Sequence, residues 1–166
     1  NFFNKEVIES KANRYFFVED PVKVNVDGAP PQKVELDLHP DLRKGGRVFK
    51  THNRFYLSQE DAALNLDFVR LMDCMNCVKK GEHYAFHSRD YETCKDKKGK
   101  IIHWLPVEED LVEVEIKMPD GEVKKGLGEP HLKRLTTGDI IQFERVGFCR
   151  LDTFKEEKMI FWYAHR

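Results

Sequence analysis

The sequence is short of most features that announce a function by themselves. It has no apolar stretch near the roughly 20 residues that a membrane-spanning helix needs. Its longest runs, such as Ile160–Ala164, are strand-sized. The first residues, Asn1-Phe2-Phe3-Asn4-Lys5-Glu6, lack the basic-then-apolar pattern of a secretory signal. The initiator methionine is also missing, as expected of an excised fragment or a processed chain. Four cysteines in 166 residues are too few for a dense disulfide framework and read as free thiols in a reducing cytosol. Net charge is -1, from 28 basic and 29 acidic residues, so no global positive field marks a nucleic-acid binder. A local basic patch remains compatible with that total. Gly126-Leu127-Gly128 is too short for a phosphate-binding loop and lacks the lysine-bearing helix that would follow one. No nucleophile elbow surrounds any Cys/His pairing, which leaves the hydrolase reading weak.

What the sequence does have is core material and alternation. It is 40% hydrophobic, which separates it from disordered tails. Val22-Lys23-Val24-Asn25-Val26 alternates and stops at Asp27-Gly28, and Val34-Glu35-Leu36-Asp37-Leu38 alternates again. In Val112–Met118, four apolar side chains point one way and three charged ones the other, before Pro119-Asp120-Gly121 turns the chain. Further strands are expected over 139–146, 148–152 and 158–164, with 101–105 as a buried strand ending at Pro106. Helix is scarce: a Ser58-capped turn or two, and a short helix opened by Pro130. The segment 94–100 is expected to be an exposed basic loop. Roughly fifteen short strands exceed what one small barrel uses, which implies two barrels.

Two kinds of binding chemistry are conceivable. Cys74 and Cys77 form a CxxC pair, but structural zinc ordinarily draws two such pairs. If 69–78 is one strand, the odd spacing puts the thiols on opposite faces, and no metal site is expected. The nucleic-acid reading has better material, because basic residues lie beside aromatics in Arg14-Tyr15-Phe16-Phe17, Arg43-Lys44-Gly45-Gly46-Arg47 and Asn53-Arg54-Phe55-Tyr56. Unpaired bases are held by stacking on rings or guanidinium planes while Arg, Gln and Asn bond their edges. Gln142 and Arg145 are three apart, so on a regular strand they face opposite ways. Convergence on one base requires a bulge or turn.

Several ordered strings add a family resemblance. Arg14–Val24, Leu38-His39-Pro40, Gly46-Arg47-Val48 and Phe55-Tyr56-Leu57-Ser58 come first. Val69–Asp73, Ile101–Pro106, Met118–Gly121, Gly126–Pro130, Gly138–Phe148 and the ending Phe161–Arg166 follow. Together, over about residues 12–166, they resemble the C-terminal anticodon-binding region of archaeal-type glutamyl-tRNA synthetases. The resemblance implies an all-β fold of two antiparallel six-stranded-type β-barrels, ribosomal-protein-L25-like, with short helices. The implied division is a linker or helical tail at 1–12, a proximal barrel at 13–62 plus 138–166, and a distal barrel at 63–137.

By the same resemblance, Arg14, Gln142 and Arg145 hold the central anticodon uridine, whose two carbonyls suit their donors. Arg70 is a candidate for the third anticodon base. The implied partner is tRNA(Glu), with tRNA(Gln) added where the enzyme is non-discriminating, and the implied protein is a cytoplasmic monomer that binds no membrane. The adenylate-forming motifs are missing. The resemblance therefore places ATP and magnesium in a catalytic domain before residue 1, with no catalytic residue, cofactor or metal expected in this segment. The alternatives are the homologous glutaminyl-tRNA synthetase branch and a stand-alone β-barrel module that binds RNA or protein.

Overall fold

Alternation decides where the strands form, and burial on one or both faces decides how they pack. The computed structural model describes residues 10–166; the tail expected before residue 10 lies outside them. In chain order come β1 (Arg14–Tyr15), β2 (Phe17–Glu19), β3 (Pro21–Asp27), β4 (Gln32–His39), β5 (Arg43–Thr51), β6 (Arg54–Ser58), β7 (Phe68–Leu71) and β8 (Met75–Lys80). Then follow β9 (His83–Ser88), β10 (Lys100–Ile102), β11 (Leu105–Pro106), β12 (Val112–Lys117), β13 (Val123–Gly128), β14 (Ile140–Phe143), β15 (Gly147–Lys155) and β16 (Lys158–His165). Helices α1 (Gln59–Ala63) and α2 (Tyr91–Asp96) and a 3-10 turn at Pro130–Arg134 join them.

One seven-stranded sheet runs β1-β14-β15-β16-β12-β13-β2, a second runs β10-β7-β8-β9-β3-β6-β11, and β4 and β5 form a separate hairpin. The edges of the first sheet, β1 and β2, are separated only by Phe16, so the sheet curls into a nearly closed barrel. The edges of the second, β10 and β11, are separated only by His103-Trp104. Each seven-stranded sheet is thus a six-stranded barrel with one strand broken at its seam. The expected strand at 101–105 is that broken strand.

The seams meet. Tyr15 and Phe17 are buried in the first core, whereas Phe16 and Val18 are buried in the second. The pleat alone explains this, because successive side chains point to opposite faces. Tyr15-Phe16-Phe17-Val18 is apolar throughout because both of its faces are covered. The Phe16 ring lies 5.5 Å from Trp104 and 6.1 Å from Phe49 of β5, and the Trp104 indole N–H donates to the Met72 carbonyl at 2.9 Å.

At the break Phe16 loses its sheet partner, and its N–H donates to Glu129 Oε2 at 2.7 Å. The Glu129 side chain is fully buried and Arg47, 3% exposed, pairs with it through Nε at 2.8 Å and Nη2 at 2.6 Å. Burial alone would raise the Glu129 pKa. The Arg47 charge and hydrogen bonds, the adjacent His131 ring and the Phe16 N–H together hold it below its ordinary value. His131 completes the knot: Nε2 donates to the Val48 carbonyl at 3.0 Å, and Nδ1 lies 2.9 Å from Glu129 Oε1, outside good hydrogen-bond geometry.

The strand pairing departs from the division implied above. β3 and β6, within 13–62, belong to the second sheet, and β12 and β13, within 63–137, belong to the first. Pairing between strands about a hundred residues apart causes this: β13 zips onto β2, with Gly126 opposite Glu19. A Cβ at Gly126 would lie 2.0 Å from the Val18 carbonyl oxygen, so this close approach needs glycine. The run 69–78 is also two strands rather than one, split by a turn at Asp73 with φ 56°. The expected basic loop begins as α2, because Asp90 caps it through Thr93 N at 2.9 Å and Cys94 anchors it in the interior. Replacing Glu129 by alanine leaves Arg47 buried without its partner and should cost about 3–5 kcal/mol. Urea denaturation of the variant measures this loss.

Candidate nucleic-acid interface

The parallel register of β1 on β14 sets Arg14 directly opposite Gln142 and Tyr15 opposite Phe143. Tyr15, Ile141 and Phe143 fill the barrel core, so the pleat turns Arg14 and Gln142 together to the outside. Arg14 keeps 38% of its side chain exposed, and its Nη1 lies 3.9 Å from Glu144 Oε1. Burial pushes the Glu144 carboxyl above its ordinary range. Arg14 pulls it back, and Asp73, on the turn between β7 and β8, adds to the rise. The tip of the second barrel is therefore electrically close to the Arg14–Gln142 pair.

Arg145 does not continue β14. The strand ends at Phe143, and Arg145 takes φ 66° in the turn before β15. A turn of this kind is what convergence with Gln142 demanded. Here, however, the guanidinium reaches across to the second barrel: Nη1 and Nη2 donate to the two carboxylate oxygens of Asp61 at 2.7 and 2.9 Å. Nη1 also donates to His103 Nδ1 at 2.9 Å. Arginine only donates, so Nδ1 is the acceptor and the His103 proton sits on Nε2. Three of the five guanidinium N–H groups are thereby occupied. Among the described residues, Nε–H and the second Nη2–H have no hydrogen-bond acceptor and form a parallel pair on one edge of the fork, a geometry suited to a two-acceptor partner.

Asp61 is placed by its own local structure. Ser58 caps α1 by accepting from Asp61 N at 3.1 Å, which turns the carboxylate inward to 2% side-chain exposure. Burial acts to raise its pKa, but the hydrogen bonds and charge of Arg145 outweigh that and hold it low. His103 lies at the seam of the second barrel and is pushed down to about 4, by burial first and by the Arg145 charge second. It is a core side chain, 6% exposed, with Nδ1 satisfied by Arg145. Asp61 gave no signal in the sequence as a partner of Arg145, since 84 residues separate them. These groups border a cleft of about 420 Å³ lined also by Lys124, Tyr163 and Arg166.

The other sequence candidates are distributed differently. Arg70 is 8% exposed on β7, with Nη1 donating to Asn76 Oδ1 at 3.0 Å and to the Arg89 carbonyl at 2.9 Å. Arg47 is buried in the Glu129 pair, Arg43 Nε donates to Asn13 at 2.5 Å, and Arg54 is paired with Glu108. Cys74 and Cys77 both face the second core, and burial raises both thiols to about 12. The expectation of opposite faces rested on a single strand, which the Asp73 turn interrupts. Among the described residues, no group of three or more His, Cys, Asp and Glu side chains is arranged to hold a metal ion, and no helix is long and apolar enough to cross a membrane.

His103 titrates near 6.5 when unfolded and near 4 when folded. Between these values the unfolded chain holds more protons, so stability should fall as pH drops through that window, by on the order of 2–3 kcal/mol. His103→Asn, whose amide oxygen can take the place of Nδ1, should flatten this part of the profile. Urea midpoints followed across the window check it.

Known proteins share this chain over nearly its whole length. The family described as "tRNA synthetases class I (E and Q), anti-codon binding domain" matches residues 12–103, taking in Arg14 and Arg70. A second family of the same description matches residues 101–152, taking in Gln142 and Arg145. The chain is 44% identical over 166 residues to a protein named Glutamate--tRNA ligase from Methanobrevibacter smithii, covering 98% of this chain and 29% of that protein. It is 39% identical to the one from Methanocaldococcus jannaschii, and 38% identical to the one from Pyrococcus abyssi. In both of those, 98% of this chain matches 30% of the relative, so the chain spans about 30% of the length of the curated relatives it matches. With more than half of its residues inside the first match, the chain belongs to the anticodon-binding domain family of class I (E and Q) tRNA synthetases.

Proposed function

We propose that this chain reads the anticodon of tRNA(Glu) as part of a glutamate–tRNA ligase, and that Arg14, Gln142 and Arg145 contact the central uridine. The observation that carries the reading is the register of β1 on β14, which presents Arg14 and Gln142 side by side on the open face of the barrel. Arg145 follows within three residues on the adjoining turn, with two parallel N–H groups still unspent. A uracil edge offers two carbonyl acceptors and one N–H, and these three side chains supply the donors with Gln142 as the matching acceptor. Arg70, set on β7 behind the turn that influences Glu144, is the candidate for the third anticodon base. For that contact the Arg70 fork must offer N–H groups beyond the two on Nη1 committed to Asn76 and Arg89.

The names of the relatives support glutamate as the amino acid of the parent enzyme. In that enzyme a separate catalytic part would bind ATP and magnesium, and this segment would supply selection and orientation far from the chemistry. The chain is expected to act as a monomer in the cytoplasm, with tRNA(Gln) a second partner if the third base is read loosely.

An anticodon stem-loop with its central uridine intact, titrated against Gln142→Ala and Arg145→Ala, tests the assignment. Each loss should weaken binding by about 1–3 kcal/mol, as a base-edge contact does, and should have much less effect on a loop with that base changed. Equal losses on both loops would make these residues phosphate contacts. Glutamate charging by the full-length parent chain tests the enzymatic half.

A further inference from the structure

The outer face that carries Arg14 and Gln142 extends further across the barrel. Register pairs Gln142 with Phe148 on β15 and Phe148 with His165 on β16, so Arg14, Gln142, Phe148 and His165 form one row. The next row runs Ile140, Arg150, Trp162 and Lys117, across β14, β15, β16 and β12. The residues that alternate with them, including Ile141, Cys149, Phe161 and Ile116, are buried in the core, so both rows face outward.

These rows interleave rings and cations. The Phe148 and His165 rings lie 5.2 Å apart. Trp162 is 47% exposed, an unusual setting for so large an apolar group, and Lys117 Nζ sits 4.9 Å from its ring centroid. Arg150 is its exposed cross-strand neighbour. Neither row contains a carboxylate. Strands are spaced about 4.8 Å apart, which puts β16 about 10 Å from β14 and within reach of the same RNA strand.

We infer that Trp162 is a stacking platform for an unpaired nucleotide next to the one read by Arg14 and Gln142, with Arg150 and Lys117 engaging the phosphates beside it. The inference rests on the anticodon reading above, from which it takes the RNA as occupant. Charge agrees with that occupant: an exposed indole flanked by Lys117 and Arg150 suits a single-stranded polyanion, and the carboxylates bordering the rows, Glu144 and Glu115, are paired with Arg14 and Lys158. Stacking on an indole tolerates any base, so this contact adds affinity without adding sequence preference. Lys117 holds the indole in place in the free protein and lies close enough to serve a phosphate of the stacked nucleotide.

The chain has only two tryptophans, and Trp104 is fully buried, which makes the test direct. On titration with the anticodon stem-loop, the exposed Trp162 emission should be quenched while the buried Trp104 emission persists. Trp162→Phe should remove the quench with little change in affinity. Trp162→Ala should weaken binding by about 5- to 100-fold on loops of either central base, the loss expected of one stacked base. Arg150→Ala and Lys117→Ala should each lower the salt dependence by about one unit of slope. An Arg14→Ala arm separates the failures. If binding depends on Arg14 but leaves Trp162 emission and the Trp162→Ala affinity unchanged, the platform is refuted and the anticodon reading stands. If no variant alters binding, or the stem-loop does not bind, both fall together.

Discussion

The fold depends on one buried carboxylate. Where the first barrel breaks at Phe16, a backbone N–H leaves the sheet in a place water does not reach, and Glu129 accepts it. An unpaired buried amide would cost about 1–3 kcal/mol, and an unpaired buried carboxylate far more. Arg47 removes the second difficulty while lying 4.9 Å from the Phe16 ring, so the same guanidinium neutralises Glu129 and packs on the seam. With this knot in place, a single four-residue stretch can send Tyr15 and Phe17 into one core and Phe16 and Val18 into the other. The two barrels are therefore joined by a shared strand, not by a linker.

The face that carries Arg14 and Gln142 inherits its geometry from that seam. Arg14 immediately precedes the shared strand, and its partner Gln142 is fixed by hydrogen bonds between β1 and β14. On the far side of the same hairpin, Arg145 ties the first barrel to Asp61 and His103 of the second. A guanidinium held by three of its five donors keeps little rotational freedom, so the remaining two are fixed in direction. Neutral His103 matters here, because a protonated ring would lose the acceptor at Nδ1 and place a second cation against Arg145.

Much of the scaffold was legible from local pattern. Val112–Met118 reads correctly because one face of β12 is buried and one is open, so burial is written as alternation. Ser58 announces α1 through a cap that spans only three residues. Legibility failed where partners are distant. The interruption at His103-Trp104 exists because this seam faces Phe16, which no pattern within 101–105 encodes. The turn at Asp73 required a positive φ that an aspartate tolerates without advertising it. The short helix at 91–96 was hidden by a composition suited to a loop. Of the candidate side chains, Arg14 and Gln142 came together through strand register. Arg145 found Asp61 through a contact between barrels, and Arg47 proved to be a core residue despite its basic, glycine-rich surroundings.

The sequence by itself determined the all-β class, most strand positions, the need for more than one barrel and the family to which the ordered motifs point. These follow from interactions between residues a few positions apart, or from strings of residues taken whole. Only the tertiary structure decided how strands partition between the barrels, which arginines are buried and which remain available, and that an open strip of rings and cations continues from Gln142 to Lys117. Each of these depends on pairings across many tens of residues, where the energy lies in register and in charge burial, and neither leaves a local trace.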